Sequence, residues 1–156
     1  MNNKRNGGYA LLEVMIGLFV LAIGLLGMAS LQGQAVRVSN SAHLYSQASY
    51  LASDMVERMR ANREQLADYS LLFSDTVTAA VDCAASNCTP EQLAKWDQSR
   101  WLADLAERLP QGAGNITVAG TKVTIQIRFD DNKGSQTGSQ ENVADALIQF
   151  QLDSQI

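Results

Sequence analysis

The sequence predicts an α+β fold. A long N-terminal helix, apolar in its first half and amphipathic in its second, is expected to pack on a small antiparallel sheet. Three observations carry that expectation. Residues 14–36 form a run of 23 without a single charge. No proline occurs before Pro90, so nothing forbids one helix from running through the first third of the chain. Beyond Pro110, apolar residues alternate with polar ones, at Val123, Ile125, Ile127 and Phe129 and again at Ile148, Phe150 and Leu152. That is the period of strands with one buried and one wet face.

Composition narrows the function classes. A chain of 156 residues fits one domain of ordinary size. Its formal net charge of −4 argues against a nucleic-acid partner. With two cysteines and one histidine, a zinc site built from Cys and His lacks ligands, and any Ser-His-Asp or Cys-His scheme is limited to His43. His43 lies between Ala42 and Leu44 in the long helix, and no neighbouring motif supplies a nucleophile or an orienting group. No nucleophile elbow, phosphate loop or HExxH motif is present. The expectation is a protein without enzymatic activity, cofactor or metal.

The first element decides the class. A helix over 14–36 is roughly 34 Å long, enough to cross a hydrocarbon core of about 30 Å. Lys4 and Arg5 precede it, which places that end in the cytoplasm and the rest of the chain outside. A secretory signal peptide cut near Gly27-Met28-Ala29 fits the basic start and the apolar run, and so does a plain signal anchor. Neither accounts for Glu13. A carboxylate entering a bilayer costs about 2.5–3.5 kcal/mol and persists mainly where it gains a partner. A cut after Gly8 makes Tyr9 the N-terminus and puts its new α-amino group one helical turn from Glu13. That amine can pair with its own Glu13 or with the Glu13 of a neighbouring subunit, and pairing across subunits sets axial register.

The run Gly7-Gly8-Tyr9-Ala10-Leu11-Leu12-Glu13, followed by about twenty apolar residues, resembles the class III leader of type IV pilins and type II secretion pseudopilins. The resemblance implies a leader over 1–8, prepilin peptidase cleavage between Gly8 and Tyr9, N-methylation of Tyr9 (where most members have Phe) and an assembly role for Glu13. It also implies a pilin-like layout: a transmembrane or filament-core helix half over 9–36, an amphipathic half over 37–66, and a periplasmic head over 67–156.

The amphipathic half is legible from spacing. Leu44, Ala48, Leu51, Met55 and Met59 recur every three or four residues, widened by Ala52 and Val56. Asp54–Arg58 and Arg60–Glu64 are expected as i,i+4 pairs on the opposite face, with the helix reaching about Leu66. Residues 67–90 read as irregular. They contain Cys83 and Cys88, which the topology places outside the cytoplasm, where a disulfide persists. So small a loop contributes about 2 kcal/mol in the chain-entropy model.

Thr89-Pro90-Glu91-Gln92 reads as a capping box opening a helix that ends before Pro110. Trp101, Leu102, Leu105 and Leu109 form its inner stripe. Trp96 and Trp101 read either as a carbohydrate platform or, by preference, as anchors of the helix on the sheet. Gly120-Thr121 separates the strand runs 116–118 and 123–129. A polar loop over 130–142 precedes the closing strand 148–152. Within that loop, Asp130, Asp131, Asn132 and Gly134 make a poor calcium pattern, read as a solvated turn.

The stretch from Cys83 to Trp101 is similar to the corresponding region of the type IV pilus modification proteins (PilV), a family of minor pilins. That resemblance implies partnership with prepilin peptidase, other minor pilins, the major pilin, the inner-membrane assembly machinery and membrane lipid. It also implies roles in pilus initiation, twitching motility and adhesion in a Gram-negative bacterium, with the chain passing from the inner membrane to the pilus tip. A type II secretion pseudopilin remains the rival within the architecture. A secreted binding domain with an ordinary signal peptide is the rival outside it.

Overall fold

A computed structural model describes residues 7–131 and 147–156. Most of the expected leader and most of the polar loop over 130–142 lie outside the described residues. The chain divides into two compact units at Ser41 and Ala42. Helix α1 (Gly7–Ala61) contributes to both.

In the first unit, every residue from 11 to 40 is exposed. The large apolar side chains from Leu11 to Val38 expose between 56% and 73% of their surface. By length and composition this helix is able to cross a membrane.

The second unit is α+β. After α1 comes a 3-10 segment (Arg63–Tyr69), then α2 (Pro90–Arg108), β1 (Ala113–Ala119), β2 (Lys122–Phe129) and β3 (Ile148–Gln155). The strands form one antiparallel sheet in the order β1-β2-β3. Ala119 pairs with Lys122, so Gly120-Thr121 is a two-residue hairpin loop. Gly120, at φ +64°, takes the first central position, where a side chain would be strained. Along β2, Val123, Ile125, Ile127 and Phe129 are fully buried. They meet the α1 stripe Leu44, Ala48, Leu51, Ala52, Met55, Val56 and Met59 in one core. Each Val, Leu, Ile, Phe or Met side chain among them contributes about 1.5–3 kcal/mol through burial.

Helix α2 starts as its capping box demands. Thr89 Oγ1 accepts from the Gln92 backbone N–H, and Gln92 Oε1 accepts from the Thr89 N–H. Trp101 and Leu105 are buried on its inner side, and Leu102 is half-buried. The strands run longer than the alternation alone suggested: β1 begins at Ala113 and β3 continues to Gln155. Gly114 makes the early part of β1 possible. A Cβ there would collide with the Trp101 ring and approach Leu105 Cδ1 to 2.8 Å.

Two local expectations are corrected. The α-helix does not continue to Leu66 but stops at Ala61. Asn62 leaves helical geometry at φ −117°, ψ 39°, and a 3-10 segment broken at Gln65 follows. Asn is a weak helix former whose side chain readily takes partners outside the helix. Here its Nδ2 donates to Pro90 O at 2.8 Å. Arg60 consequently cannot pair with Glu64 across a helical turn, and it pairs with Glu57 instead.

Candidate functional site

The residues singled out by the sequence fall at two places. Gly8 and Tyr9 have helical backbone near the start of α1, and Glu13 lies one turn further on. Glu13 is exposed, and among the described residues it makes no hydrogen bond or ion pair within the chain. Gly17, Gly24, Gly27 and Gly33 likewise have open space where a Cβ would stand. Intrachain packing therefore does not require glycine at these four positions. Their effect is to weaken the helix by about 1 kcal/mol each relative to Ala.

The second place is the start of α2. Cys83 and Cys88 are joined in a disulfide with Cα atoms 5.5 Å apart. Asp82, the residue before the ring, orders it: its Oδ1 accepts from the Ala84 N–H at 2.9 Å and its backbone carbonyl accepts from the Ser86 N–H at 3.0 Å. Residues 84–87 are exposed. The chain passes from Cys88 directly into the Thr89 cap.

Beside that cap lies a polar cluster that sequence reasoning missed. Arg58 Nε donates to Asp54 Oδ2 at 2.8 Å, and its Nη1 donates to Asp97 Oδ1 at 3.3 Å. The Tyr69 hydroxyl donates to Asp97 Oδ2 at 2.7 Å. Gln98 Nε2 donates to Asp68 O and Ser70 O at 3.1 and 3.4 Å. Asp97 and Gln98 are buried on α2. The pair Asp54–Arg58 is therefore half-buried, not an outward-facing ornament. Burial pulls the Arg58 guanidinium down, but the hydrogen bonds and charges of Asp54 and Asp97 outweigh it and hold its pKa above the ordinary value. Burial also pushes the Tyr69 phenol well above the ordinary tyrosine range, reinforced by the Asp97 carboxylate and opposed by Asn62 and Arg58. The sequence signalled the Asp54–Arg58 pair by its i,i+4 spacing, which the structure forms, but not its link to Asp97, for which the signal was an acid and an amide at 97 and 98 on the turn before Trp101.

The cluster joins α1, the 3-10 segment and α2. Trp101 is fully buried, and its Nε1 donates to Leu51 O at 2.9 Å, which makes it an anchor and not a sugar platform. Trp96 is half-buried beside Arg100, whose Cζ lies 6.0 Å from the ring centroid. His43 is exposed, with Gln47 Nε2 at 3.4 Å from its Nε2. An open cleft lined by Phe73, Asp75, Val77, Leu102 and Gly114 has its carboxylate engaged by the Leu72 N–H. Among the described residues no group of three His, Cys, Asp or Glu side chains is placed to hold a metal. Asn132 and Gly134 of the weak calcium pattern lie outside the described residues.

Comparison with protein families agrees with the layout. Residues 30–99 match the model described as type IV pilin Tt1218, and residues 3–29 match the prokaryotic N-terminal methylation motif. Comparison with curated proteins gives no match, and comparison with solved structures gives none. The two matched stretches adjoin and span the leader, α1, the disulfide loop and the first half of α2. The chain is type IV pilin-like, with a leader of the kind that implies prepilin peptidase processing, membrane anchoring and assembly with pilus components.

Proposed function

We propose that this pilin-like chain is a minor pilin of the type IV pilus, closest in kind to the pilus modification proteins. The leader is cut between Gly8 and Tyr9, Tyr9 is N-methylated, and the subunit waits in the inner membrane with its head in the periplasm. It then joins other minor pilins in starting a pilus that serves twitching motility and adhesion.

The observation that carries this reading is the contrast within α1. A helix exposed on every side over 11–40 holds a single carboxylate, Glu13, one turn from the expected new N-terminus. A folded domain with its own core follows on the same chain. Apolar surface of that extent is stable only in lipid or against other apolar helices. Glu13 then finds its cation in an α-amine, its own or a neighbour's. The lipid-to-filament transfer keeps the apolar surface dry throughout, so charge pairing and head contacts select the partner and the register.

Mass spectrometry of the mature chain tests it, together with the variant Glu13→Val. The expected result is a methylated Tyr9 at the N-terminus and a variant that is inserted and processed but missing from sheared filaments. A start near Ser30 would mark a secreted domain. Normal filament incorporation of Glu13→Val would remove the pairing argument.

A further inference from the structure

We infer that the cleft between residues 72–77, α2 and the start of β1 takes an extended, uncharged peptide segment of another protein, which pairs with the Gly114 backbone as an added strand. The site lies wholly within the head and does not depend on entry into a filament.

The cleft opens where a ladder is interrupted. β1 is an edge strand of the sheet. On its outer side Leu71 meets Ile116 in an isolated antiparallel bridge. The two exchange both backbone bonds: the Leu71 N–H donates to Ile116 O at 2.9 Å, and the Ile116 N–H donates to Leu71 O at 2.8 Å. In an antiparallel ladder alternate residues face the same neighbour. Gly114 therefore turns its N–H and C=O outward as Ile116 does, away from β2. Continuing that register puts Phe73 opposite Gly114, but the chain turns before it can pair. The Asp75 N–H donates to Leu72 O at 3.0 Å, and Asp75 Oδ2 accepts from the Leu72 N–H at 2.9 Å. The Phe73 ring instead lies against Arg128, whose Cζ is 3.8 Å from the ring centroid. Among the described residues no strand pairs with the outer side of β1 beyond the Leu71 bridge.

The walls define what fits. The opening has a volume of about 450 Å³, within the range of pockets that bury a small ligand. Phe73, Val77 and Leu102 supply apolar wall, and Thr76 and Ser99 supply hydroxyls. An anionic side chain finds no Lys, Arg or His in the lining, and a cationic one finds only Asp75, already engaged by the Leu72 N–H. One outward N–H and one outward C=O on a single residue are matched by the C=O and N–H of a single guest residue, which calls for extended peptide. Opposed residues share a face, and a Cβ on Gly114 would point at the Trp101 ring of α2. The guest side chain opposite Gly114 thus falls on the α2 side, where Leu102 lies, and is apolar.

The test uses the full-length chain in detergent micelles with isotope-labelled glycine, followed by NMR. The probe is the capped peptide acetyl-Thr-Val-Thr-Val-Thr-amide. The expected result is a saturable downfield shift of the Gly114 amide proton and slower exchange with solvent, while the Gly24 amide in the apolar stretch stays unmoved. N-methylating both valines removes the pairing donors and should weaken binding about tenfold, the scale of one hydrogen bond. Ala103→Arg, at an exposed position of α2 lining the cleft, should weaken it by at least as much without disturbing the core. No change at Gly114 at the highest soluble peptide concentration overturns the inference. So does equal binding by the N-methylated peptide or by Ala103→Arg. Equal changes at Gly24 would place the peptide in the detergent and overturn it too. A Gly114 amide already protected in the peptide-free chain overturns it as well, because the strand position is then filled from within.

Discussion

Residues 11–40 and the unit that begins at Ala42 treat apolar surface in opposite ways. In the first, leucines, valines and isoleucines lie more than half exposed on all sides of a helix. In the second, Leu51, Met55, Met59, Trp101, Ile125 and Phe129 are buried to 1% or less. Both stretches are rich in the same residue types, and both are helical across the boundary. What differs is spacing. From Leu44 onward apolar residues fall on one stripe, which a sheet can cover. Before Val38 they fall on every face, which no single partner of the same chain can cover. The head is thus specified by contacts within the chain, and the apolar stretch by surroundings that the chain itself does not provide.

Trp101→Ala is the sharpest way to break that contrast. It opens a large cavity beside Gly114 and deletes the bond to Leu51 O, for an expected loss of 3–5 kcal/mol, about the range for large aromatic truncations. In detergent-solubilised chain, the head should melt many degrees lower or fail to fold. Leu18→Ala and Leu25→Ala remove comparable apolar volume from the exposed stretch, and the head transition should not move. A shift of that transition by either leucine variant would show that the two units are not specified separately.

Much of the head was legible in advance because its signals are local. The Thr89 capping box closes within four residues. The alternation of β2 declares which face is buried, and Gly120 marks the hairpin by the backbone it permits. The illegible parts depend on partners far along the chain. Asn62 ends α1 because Pro90 O, 28 residues on, takes its amide. Arg58 turns inward because Asp97, 39 residues on, waits there. Gly114 is needed only because the Trp101 ring occupies the place of a side chain. The candidate N-terminal site is the reverse case. The pattern Gly8, Tyr9, Glu13 is fully visible in the sequence, yet among the described residues Glu13 makes no hydrogen bond or ion pair that would explain it.

A middle-sized effect sharpens the comparison within the head. The Cys83–Cys88 ring closes only six residues, so its chain-entropy contribution is about 2 kcal/mol. Cys83→Ser should lower the head's melting temperature by several degrees under oxidising conditions and make no difference once wild type is reduced. An unchanged oxidised melt would mean that the Asp82 and Thr89 hydrogen bonds order this loop without the bond.

The smallest effect is also the one that reads the buried cluster directly. Tyr69 donates its hydroxyl proton to Asp97 and sits behind Asn62. Its folded pKa is raised well above the ordinary 10.0, first by burial and then by the nearby carboxylate. For an acid raised in this sense, the folded state keeps a proton that the unfolded state releases. Stability is then complete below pH 10 and declines as pH climbs from there toward the folded value. Tyr69→Phe should cost about 1 kcal/mol at neutral pH, the loss of one hydrogen bond to a charged acceptor partly offset by easier burial. More telling is the slope: between pH 10 and 11.5 the variant should lose stability less steeply than wild type in matched urea melts. Parallel slopes would place the phenol in water and take Asp97 out of the joint between α1 and α2. Ala variants at exposed positions such as Leu21 offer the control, because that stretch contains no titrating group between Glu13 and Arg37 and should leave the slope untouched.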